Sequence, residues 1–185
     1  SVKRRVRTRV IYYGLCLEVQ GRNVLFKVGC QSGTYIRKLV HDVGEVLGVG
    51  AHMAELRRTR AGPYTENDNL VRLQDLADAY YYWKEKGEEE ALRKLILPVE
   101  TSVQLLPKVY VKDSAVEAIC HGAHVAVPGI AKVETGINPG DLVAVMTLKG
   151  ELVALAKAEM TTEQILEAER GIALKTDRVI MPKGR

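Results

Sequence analysis

The sequence predicts an α+β fold in two domains, and three observations predict it. Along the first half, apolar residues change their spacing from every second position to every third or fourth, as a chain does on passing from strand to helix. Pro98 and Pro107 then bracket a stretch without clear periodicity. Beyond it, short apolar runs alternate with turn residues, which favours a small, partly closed β-barrel.

Two strands come first. The odd positions from Ile11 to Val19 are all apolar, which predicts one face of a strand over residues 9–19. Gly21-Arg22-Asn23 then predicts a three-residue turn. In residues 24–30 every second side chain is again apolar, so we expect an antiparallel hairpin.

Helical spacing follows. An apolar stripe runs from Ile36 to Leu47 at intervals of three and four residues, and Gly48 is placed to end that helix. Residues 51–60 resemble another strand with a basic end. A second helix is predicted over residues 73–86, and a short third one follows Gly87.

We divide the chain into domains at 1–107 and 108–185. The second domain begins with a strand at residues 109–111 and a helix capped by Asp113 and closed by Gly122. The clearest further strands cover residues 142–148 and 151–158. Thr161 and Gln164 have the spacing of a capping box, which predicts a helix ending at Gly171 before a last strand over residues 172–181.

Composition excludes several classes of protein. Of the 185 residues, 46% are hydrophobic and 27% charged, and no apolar run reaches the roughly 18 residues of a membrane span. No secretory signal is recognisable, so we expect a cytoplasmic protein. The cysteines are three in number and far apart, which argues against a disulfide framework or a structural zinc site. Cys120, His121 and His124 lack a further ligand cluster, so we expect no metal.

Positive charge is concentrated at one end. Residues 1–60 carry 12 Lys and Arg against 4 Asp and Glu, whereas residues 61–100 carry 5 against 9. Two basic groups are candidates for contact with a polyanion, and a solvated, frayed terminus is the alternative. The candidate residues are Lys3, Arg4, Arg5 and Arg7 in the first group and Arg57, Arg58 and Arg60 in the second.

A strand passes through small residues into a helix at Gly33-Thr34-Tyr35-Ile36-Arg37. The backbone N–H groups of such a helix start and its dipole favour an anion. Arg37 would lie in the first turn, where a cation needs a carboxylate or phosphate opposite it. A structural ion pair is the alternative interpretation.

These residues carry a family resemblance. Cys-Gln-Ser-Gly-Thr-Tyr-Ile-Arg at 30–37 and Ala-His-Met-Ala-Glu-Leu-Arg-Arg-Thr at 51–59 closely resemble the TruB-type RNA pseudouridine synthases, in particular the dyskerin-like catalytic subunit of H/ACA ribonucleoproteins. Residues 111–123 and Val-Pro-Gly-Ile at 127–130 resemble that family's PUA domain, an RNA-binding pseudobarrel. The resemblance implies part of a catalytic domain followed by a PUA domain.

The resemblance also implies roles for three residues. Arg37 would pair with a catalytic aspartate, Tyr35 would lie against the target uracil, and Leu56 would wall the pocket. The reaction detaches uracil from ribose and rejoins it through carbon, without metal or redox cofactor. The family's aspartate stands in a Gly-x-Leu-Asp-Pro-like segment that this sequence does not contain. We therefore expect this chain to be inactive by itself.

The resemblance also implies partners, namely an H/ACA guide RNA, an rRNA or tRNA substrate, and small accessory proteins. It implies no membrane partner, and in a eukaryote it implies a nucleolar location. Small residues between helix and strand would let RNA approach the PUA backbone, although they could instead merely cap a helix and form a turn. These candidates are Gly122, Ala123, Val127, Pro128 and Gly129.

Two other functions remain open. The chain could be an RNA-binding and scaffolding module whose synthase-like half is kept for docking. It could also be a PUA domain joined to an unrelated enzyme, although the match of residues 30–60 to the synthases weakens that interpretation.

Overall fold

The computed structural model describes residues 7–68 and 70–184, so the predictions for Lys3, Arg4 and Arg5 lie outside the described residues. The chain forms two compact units, residues 1–58 and residues 59–185.

The first unit begins with an antiparallel hairpin of β1 (Ile11–Gln20) and β2 (Asn23–Cys30). Its loop has two residues, so the predicted three-residue turn is wrong. Asn23 pairs with Gln20 and therefore belongs to the ladder, and Gly21 makes the turn with a φ of +59°.

Two irregularities in the register change which side chains share a face of the hairpin. The pairing shifts between Ile11 and Tyr13 and again between Cys16 and Glu18. An extra residue in one strand moves every later side chain of that strand to the other face. The odd positions of β1 therefore do not form one face, contrary to the prediction. The face that carries Val24, Phe26 and Val28 instead receives Ile11, Gly14, Cys16 and Val19 from β1.

This apolar face is open to solvent. Within this unit, Val19 is 64% exposed and Val24 56% exposed, and every residue of β1 is exposed. A two-stranded hairpin with apolar side chains in water is marginal without a further layer.

Helix α1 (Ile36–Val46) follows the hairpin, and the chain leaves it at Gly48, which has a φ of +70°. Residues 51–59 contain no helix or strand, so the predicted strand over 51–60 is wrong. In the second unit, Arg60 and Ala61 form β3 (Arg60–Ala61), which pairs with β4 (Tyr64–Thr65). The basic residues just before Arg60 therefore lie outside the strands that the structure describes.

Helix α2 (Leu73–Lys86) has the predicted bounds, and Gly87 ends it with a φ of +72° while its N–H donates to the Trp83 carbonyl. A short helix α3 (Glu90–Leu95) and a 3-10 helix (Val99–Val103) lead to the barrel. The buried residue of α2 is Ala79, whereas Leu73 is 80% exposed.

The rest of the second unit is a nearly closed six-stranded sheet with two helices, which confirms the predicted α+β class and the partly closed barrel. The strand order is β6-β10-β9-β8-β5-β7, and β5 and β8 are the parallel pair. The strands are β5 (Lys108–Val111), β6 (Val125–Ala126), β7 (Ile130–Val133), β8 (Leu142–Thr147), β9 (Leu152–Ala158) and β10 (Ile172–Val179). The helices are α4 (Asp113–Cys120) and α5 (Thr162–Glu167).

The sheet encloses a core of mainly β-branched side chains, among them Val109, Val145 and Val153, each without solvent exposure. Val103, from the stretch between the two prolines, joins a smaller buried cluster with Met146 and Leu152. That stretch therefore packs against the sheet within the second unit, and the division of the chain into domains at 107 and 108 stays a prediction.

Local helix signals were confirmed in part. The Thr161 hydroxyl accepts from the Gln164 N–H at 3.2 Å, and the Gln164 side chain accepts from the Thr161 N–H at 2.9 Å, so the capping box is present. Helix α5 nevertheless ends at Glu167 rather than at Gly171. Asp113 is the first residue of α4 and not its cap, a position that Lys112 occupies.

Candidate functional site

The first candidate site is the turn between β2 and α1. The Gln31 carbonyl accepts from the Thr34 N–H at 3.2 Å and from the Thr34 hydroxyl at 2.6 Å. Gly33 has a φ of +79°, a conformation that favours glycine. These hydrogen bonds fix the shape of the turn, and Tyr35, which follows it, is the cap residue of α1.

Tyr35 and Arg37 stand at this helix start with their side chains exposed. Tyr35 is the N-terminal cap residue and is 77% exposed. The first turn of α1 holds no acidic residue, and the ion pairs found within residues 7–68 and 70–184 do not include Arg37. The alternative of a structural ion pair is therefore not seen in the described part, and Arg37 is available to an anionic group from elsewhere.

Leu56, Arg57 and Arg58 lie in the irregular segment that ends the first unit, and Leu56 is 59% exposed. Arg7 is also exposed. Arg60 belongs to the second unit, where its Nε donates to the Gly62 carbonyl at 3.0 Å. Each described arginine of the two basic groups is thus on a surface, as contact with phosphates requires.

The second candidate site is the 3-10 turn Val127–Gly129. Lys112 holds it twice, because its N–H donates to the Gly129 carbonyl at 2.8 Å and its ammonium donates to the Pro128 carbonyl at 2.7 Å. A Cβ on Gly129 would lie 3.1 Å from the Cβ of Ala115. Glycine therefore lets the turn lie close against α4.

The predicted residues of this turn differ in what they present to solvent. Pro128 is exposed, whereas the Val127 side chain belongs to the core. Val127 could therefore face RNA only through its backbone. Its N–H already donates to the Gly171 carbonyl at 2.9 Å, which leaves Pro128 as the exposed member of the turn.

Gly122 and Ala123 follow α4 on an exposed surface, and β10 fixes the chain after them. The Thr176 hydroxyl donates to the Ala123 carbonyl at 2.7 Å, and the Thr176 N–H donates to Nδ1 of His124 at 3.3 Å. Gly122 has a φ of +91°, and nothing lies within 4 Å of the position of a Cβ there. Sequence reasoning missed Lys112 and Thr176, because their contacts join residues distant in the chain.

The one cysteine near this site is unreactive. Cys120 is 4% exposed, and burial raises the pKa of its thiol, with a smaller contribution from the Glu117 carboxylate. The thiol therefore stays protonated at neutral pH. His121 Nδ1 lies 2.8 Å from the Glu117 carbonyl. No group of three or more His, Cys, Asp or Glu side chains that could hold a metal was found in the described part of the chain.

None of the helices that the structure describes is long and apolar enough to cross a membrane.

Two known families match successive parts of the chain. Residues 37–104 match the tRNA pseudouridylate synthase B C-terminal domain, and residues 107–180 match the PUA domain. The first match begins at Arg37.

Proteins described as "Probable tRNA pseudouridine synthase B" are similar over nearly the whole chain. The protein of Pyrococcus furiosus is 60% identical over 183 residues, which are 99% of this chain and 54% of that protein. The protein of Methanopyrus kandleri is 59% identical over 184 residues, which are 100% of this chain and 54% of that protein. The chain therefore spans about half the length of these relatives.

Solved structures agree with this match. A chain from an H/ACA RNP bound to a substrate RNA containing 2′-deoxyuridine is 58% identical with a TM-score of 0.90, covering 98% of this chain and 57% of that one. A chain from a Cbf5-Nop10-Gar1 complex is 60% identical with a TM-score of 0.90, covering 99% of this chain and 56% of that one. Fold and sequence therefore point to the same group of proteins.

Proposed function

Because this chain belongs to the TruB/Cbf5-like pseudouridine synthases, as the C-terminal part of their catalytic domain followed by a PUA domain, we propose that it is part of an enzyme that converts uridine to pseudouridine in RNA. The observation that carries the proposal is the 58–60% identity with a TM-score of 0.90, over nearly the whole chain, to chains of an H/ACA RNP and of a Cbf5-Nop10-Gar1 complex. A PUA domain joined to an unrelated enzyme would share only the PUA part of the chain, residues 107–180, with them.

We assign Arg37 to the reacting centre, and its position at the start of α1 supports this assignment. It lies exposed at the start of α1, with no acidic residue in that turn. A guanidinium there would hold a carboxylate of the complete enzyme in its ionised form and orient it through two parallel hydrogen bonds. The family resemblance identifies that carboxylate as the nucleophilic aspartate, so Arg37 activates and orients the attacking group.

Tyr35 and Leu56 are assigned to the pocket for the base. A uridine must leave its stack before its base can be reached, and apolar or aromatic side chains then replace the neighbouring bases of that stack. Tyr35 is 77% exposed and Leu56 59% exposed, so both offer apolar surface that the described residues do not cover. A base lying against them would bury that surface.

The second unit is assigned to binding of RNA outside the reacting centre. Its candidate surface holds Gly122 and Ala123 after α4 and the turn that Lys112 fixes. Small residues let a nucleotide approach the backbone, and single-stranded RNA is recognised by such edge contacts. By the family resemblance the ligand is the ACA trinucleotide of a guide RNA, and accessory proteins bind the catalytic part.

An RNA-binding scaffold without catalysis is the second candidate function for this polypeptide taken alone. It is favoured because none of the aspartates in this sequence stands in the family's Gly-x-Leu-Asp-Pro-like segment. Arg37 can orient a carboxylate but cannot replace one, so we expect no turnover from the 185 residues by themselves.

Release of tritium from RNA carrying 5-tritiated uridine separates the two functions. We expect release with the complete protein assembled with its guide RNA and accessory proteins, and none above a protein-free control with the 185-residue chain. A complete assembly that binds RNA but releases no tritium would establish the scaffold instead.

A further inference from the structure

The turn that precedes Tyr35 is joined to Val10, the residue just before β1, through a side chain. At this point an antiparallel ladder normally uses a backbone carbonyl. Ile11 pairs with Cys30, and the next residues outward are Val10 and Gln31. The Gln31 N–H donates to the Val10 carbonyl at 2.9 Å, as in a regular hydrogen-bonded pair. In return, however, the Val10 N–H donates to the side-chain Oε1 of Gln31 at 3.3 Å.

Because the side chain of Gln31 accepts the hydrogen bond from Val10, the backbone carbonyl of Gln31 is available for the turn. That carbonyl accepts from both the N–H and the hydroxyl of Thr34, which uses both of its lone pairs. The chain can therefore leave the sheet at Gln31 while the Val10 N–H keeps an acceptor. An alanine has no such acceptor, whereas a glutamate has one at the same distance from the backbone.

A second link joins the same turn to the residue before Val10. Nε of Arg9 donates to the Gly33 carbonyl at 3.4 Å. A Cβ on Gly33 would lie 3.3 Å from Nη2 of Arg9, and its φ of +79° also disfavours a side chain. Through Gln31 and Gly33, the turn is thus attached to the two residues that precede β1.

The start of α1 is hydrogen-bonded to the end of this turn. The N–H groups of Lys38 and Leu39 both donate to the Tyr35 carbonyl, at 3.0 and 3.1 Å. Arg37 lies between Tyr35 and these two donors, so a shift of the turn would carry both candidate site residues with it.

We propose that Gln31 is a positioning residue, whose side-chain oxygen substitutes for its own backbone carbonyl in the ladder and thereby fixes the turn that presents Tyr35 and Arg37. The role in catalysis rests on the proposed function, whereas the link itself is a property of this chain. Gln31 does not touch the substrate in this proposal. It acts through Thr34 and the start of α1.

Amide hydrogen exchange in the 185-residue chain tests the link without any assay of activity. In Gln31→Ala we expect the Val10 N–H to exchange about tenfold faster or more, because its acceptor is removed. In Gln31→Glu the rate should stay near that of the unmodified chain. Gln20→Ala is the matched control, because it removes the same side chain from the other end of the hairpin. Unchanged exchange of Val10 in Gln31→Ala would overturn the proposal.

Turnover of the complete enzyme tests the positioning role. We expect Gln31→Ala to lower kcat by about 10- to 100-fold, since displacing a reacting group by about 1 Å has effects of that size. RNA affinity should remain unchanged, Gln31→Glu should restore most of the activity, and Gln20→Ala should behave as the unmodified enzyme. Equal kcat values for Gln31→Ala and Gln20→Ala would overturn the positioning role. Absence of turnover in the unmodified assembly would instead contradict the proposed function. Hydrogen exchange of the Val10 amide would still test the hydrogen bond between Val10 and Gln31.

Discussion

Gly44 of α1 and Ala51 of the following segment are in contact so close that a side chain on Gly44 has no room. A Cβ there would lie 2.7 Å from the Cβ of Ala51 and closer still to its backbone N. The N–H groups of Val49 and Gly50 donate to the Gly44 carbonyl at 3.2 and 3.0 Å. This contact sets the direction in which the chain leaves α1 toward Leu56.

Gly44→Ala should therefore destabilise the chain, although alanine in a helix normally stabilises by about 1 kcal/mol relative to glycine. Forcing an extra carbon into this contact should lower the free energy of local opening by about 1–3 kcal/mol. Hydrogen exchange of the Val49 and Gly50 amides measures this free energy of local opening. Gly14→Ala is the control, because nothing lies within 4 Å of a Cβ at Gly14. Slower exchange in Gly44→Ala than in the unmodified chain would contradict the prediction.

The two basic groups should make binding of single-stranded RNA depend on salt. Arg7 and Arg58 are exposed members of these groups. Replacing both with alanine should flatten the slope of log affinity against log salt by about 0.7 for each RNA phosphate that the variant no longer neutralises. Titrations of the 185-residue chain at several salt concentrations give the slope.

The control for this prediction is a double variant that loses two positive charges outside the two basic groups. Arg93 and Lys94 lie on α3, where they pair with Glu89 at 2.6 Å and Glu90 at 2.7 Å. Replacing both with alanine should leave the slope as it is. If the two double variants change the slope equally, the basic groups are ordinary solvated surface.

Residues 108–185 should fold alone, whereas residues 1–97 should not. The strands of the second unit close around side chains such as Val143 and Ala156 that have no solvent exposure. The hairpin instead leaves Val19 and Val24 more than half exposed, and an open sheet edge with apolar side chains tends to aggregate. Thermal melts and sedimentation of the two segments check both statements. A monomeric, cooperatively melting 1–97 segment would contradict the expectation.

Much of the fold could be predicted because its signals are local. The period of apolar residues and the glycine stop gave α2 its bounds, and Thr161 with Gln164 gave the start of α5. The extra residues near Tyr12 and Leu17 could not be predicted from alternation, because each shift in register depends on the partner strand. Residues 51–59 were predicted to form a strand, yet the structure describes them as irregular chain, and Thr59 is the β-branched residue among them.

The candidate site residues stay predictions, and only their places in the fold can be compared with the sequence. Tyr35, Arg37 and Leu56 came from a motif resemblance, and the structure places the first two at the start of one helix. The residues that hold the candidate surfaces were missed. Lys112 contacts Pro128 across 16 positions, Gln31 contacts Val10 across 21, and Thr176 contacts Ala123 across 53. Such links arise from tertiary packing and leave no periodic signal in the sequence.

The most direct measurement is the turnover of the complete enzyme with Arg37 replaced, followed by tritium release. We predict that Arg37→Ala lowers turnover by about 10²-fold or more, as removal of a positioned charge does. Arg37→Lys should restore little, because an ammonium lacks the two-pronged geometry of the guanidinium. Arg22→Ala, which removes an exposed arginine from the hairpin loop, should turn over normally. Near-normal turnover of Arg37→Ala would contradict the assignment of this chain to the reacting centre.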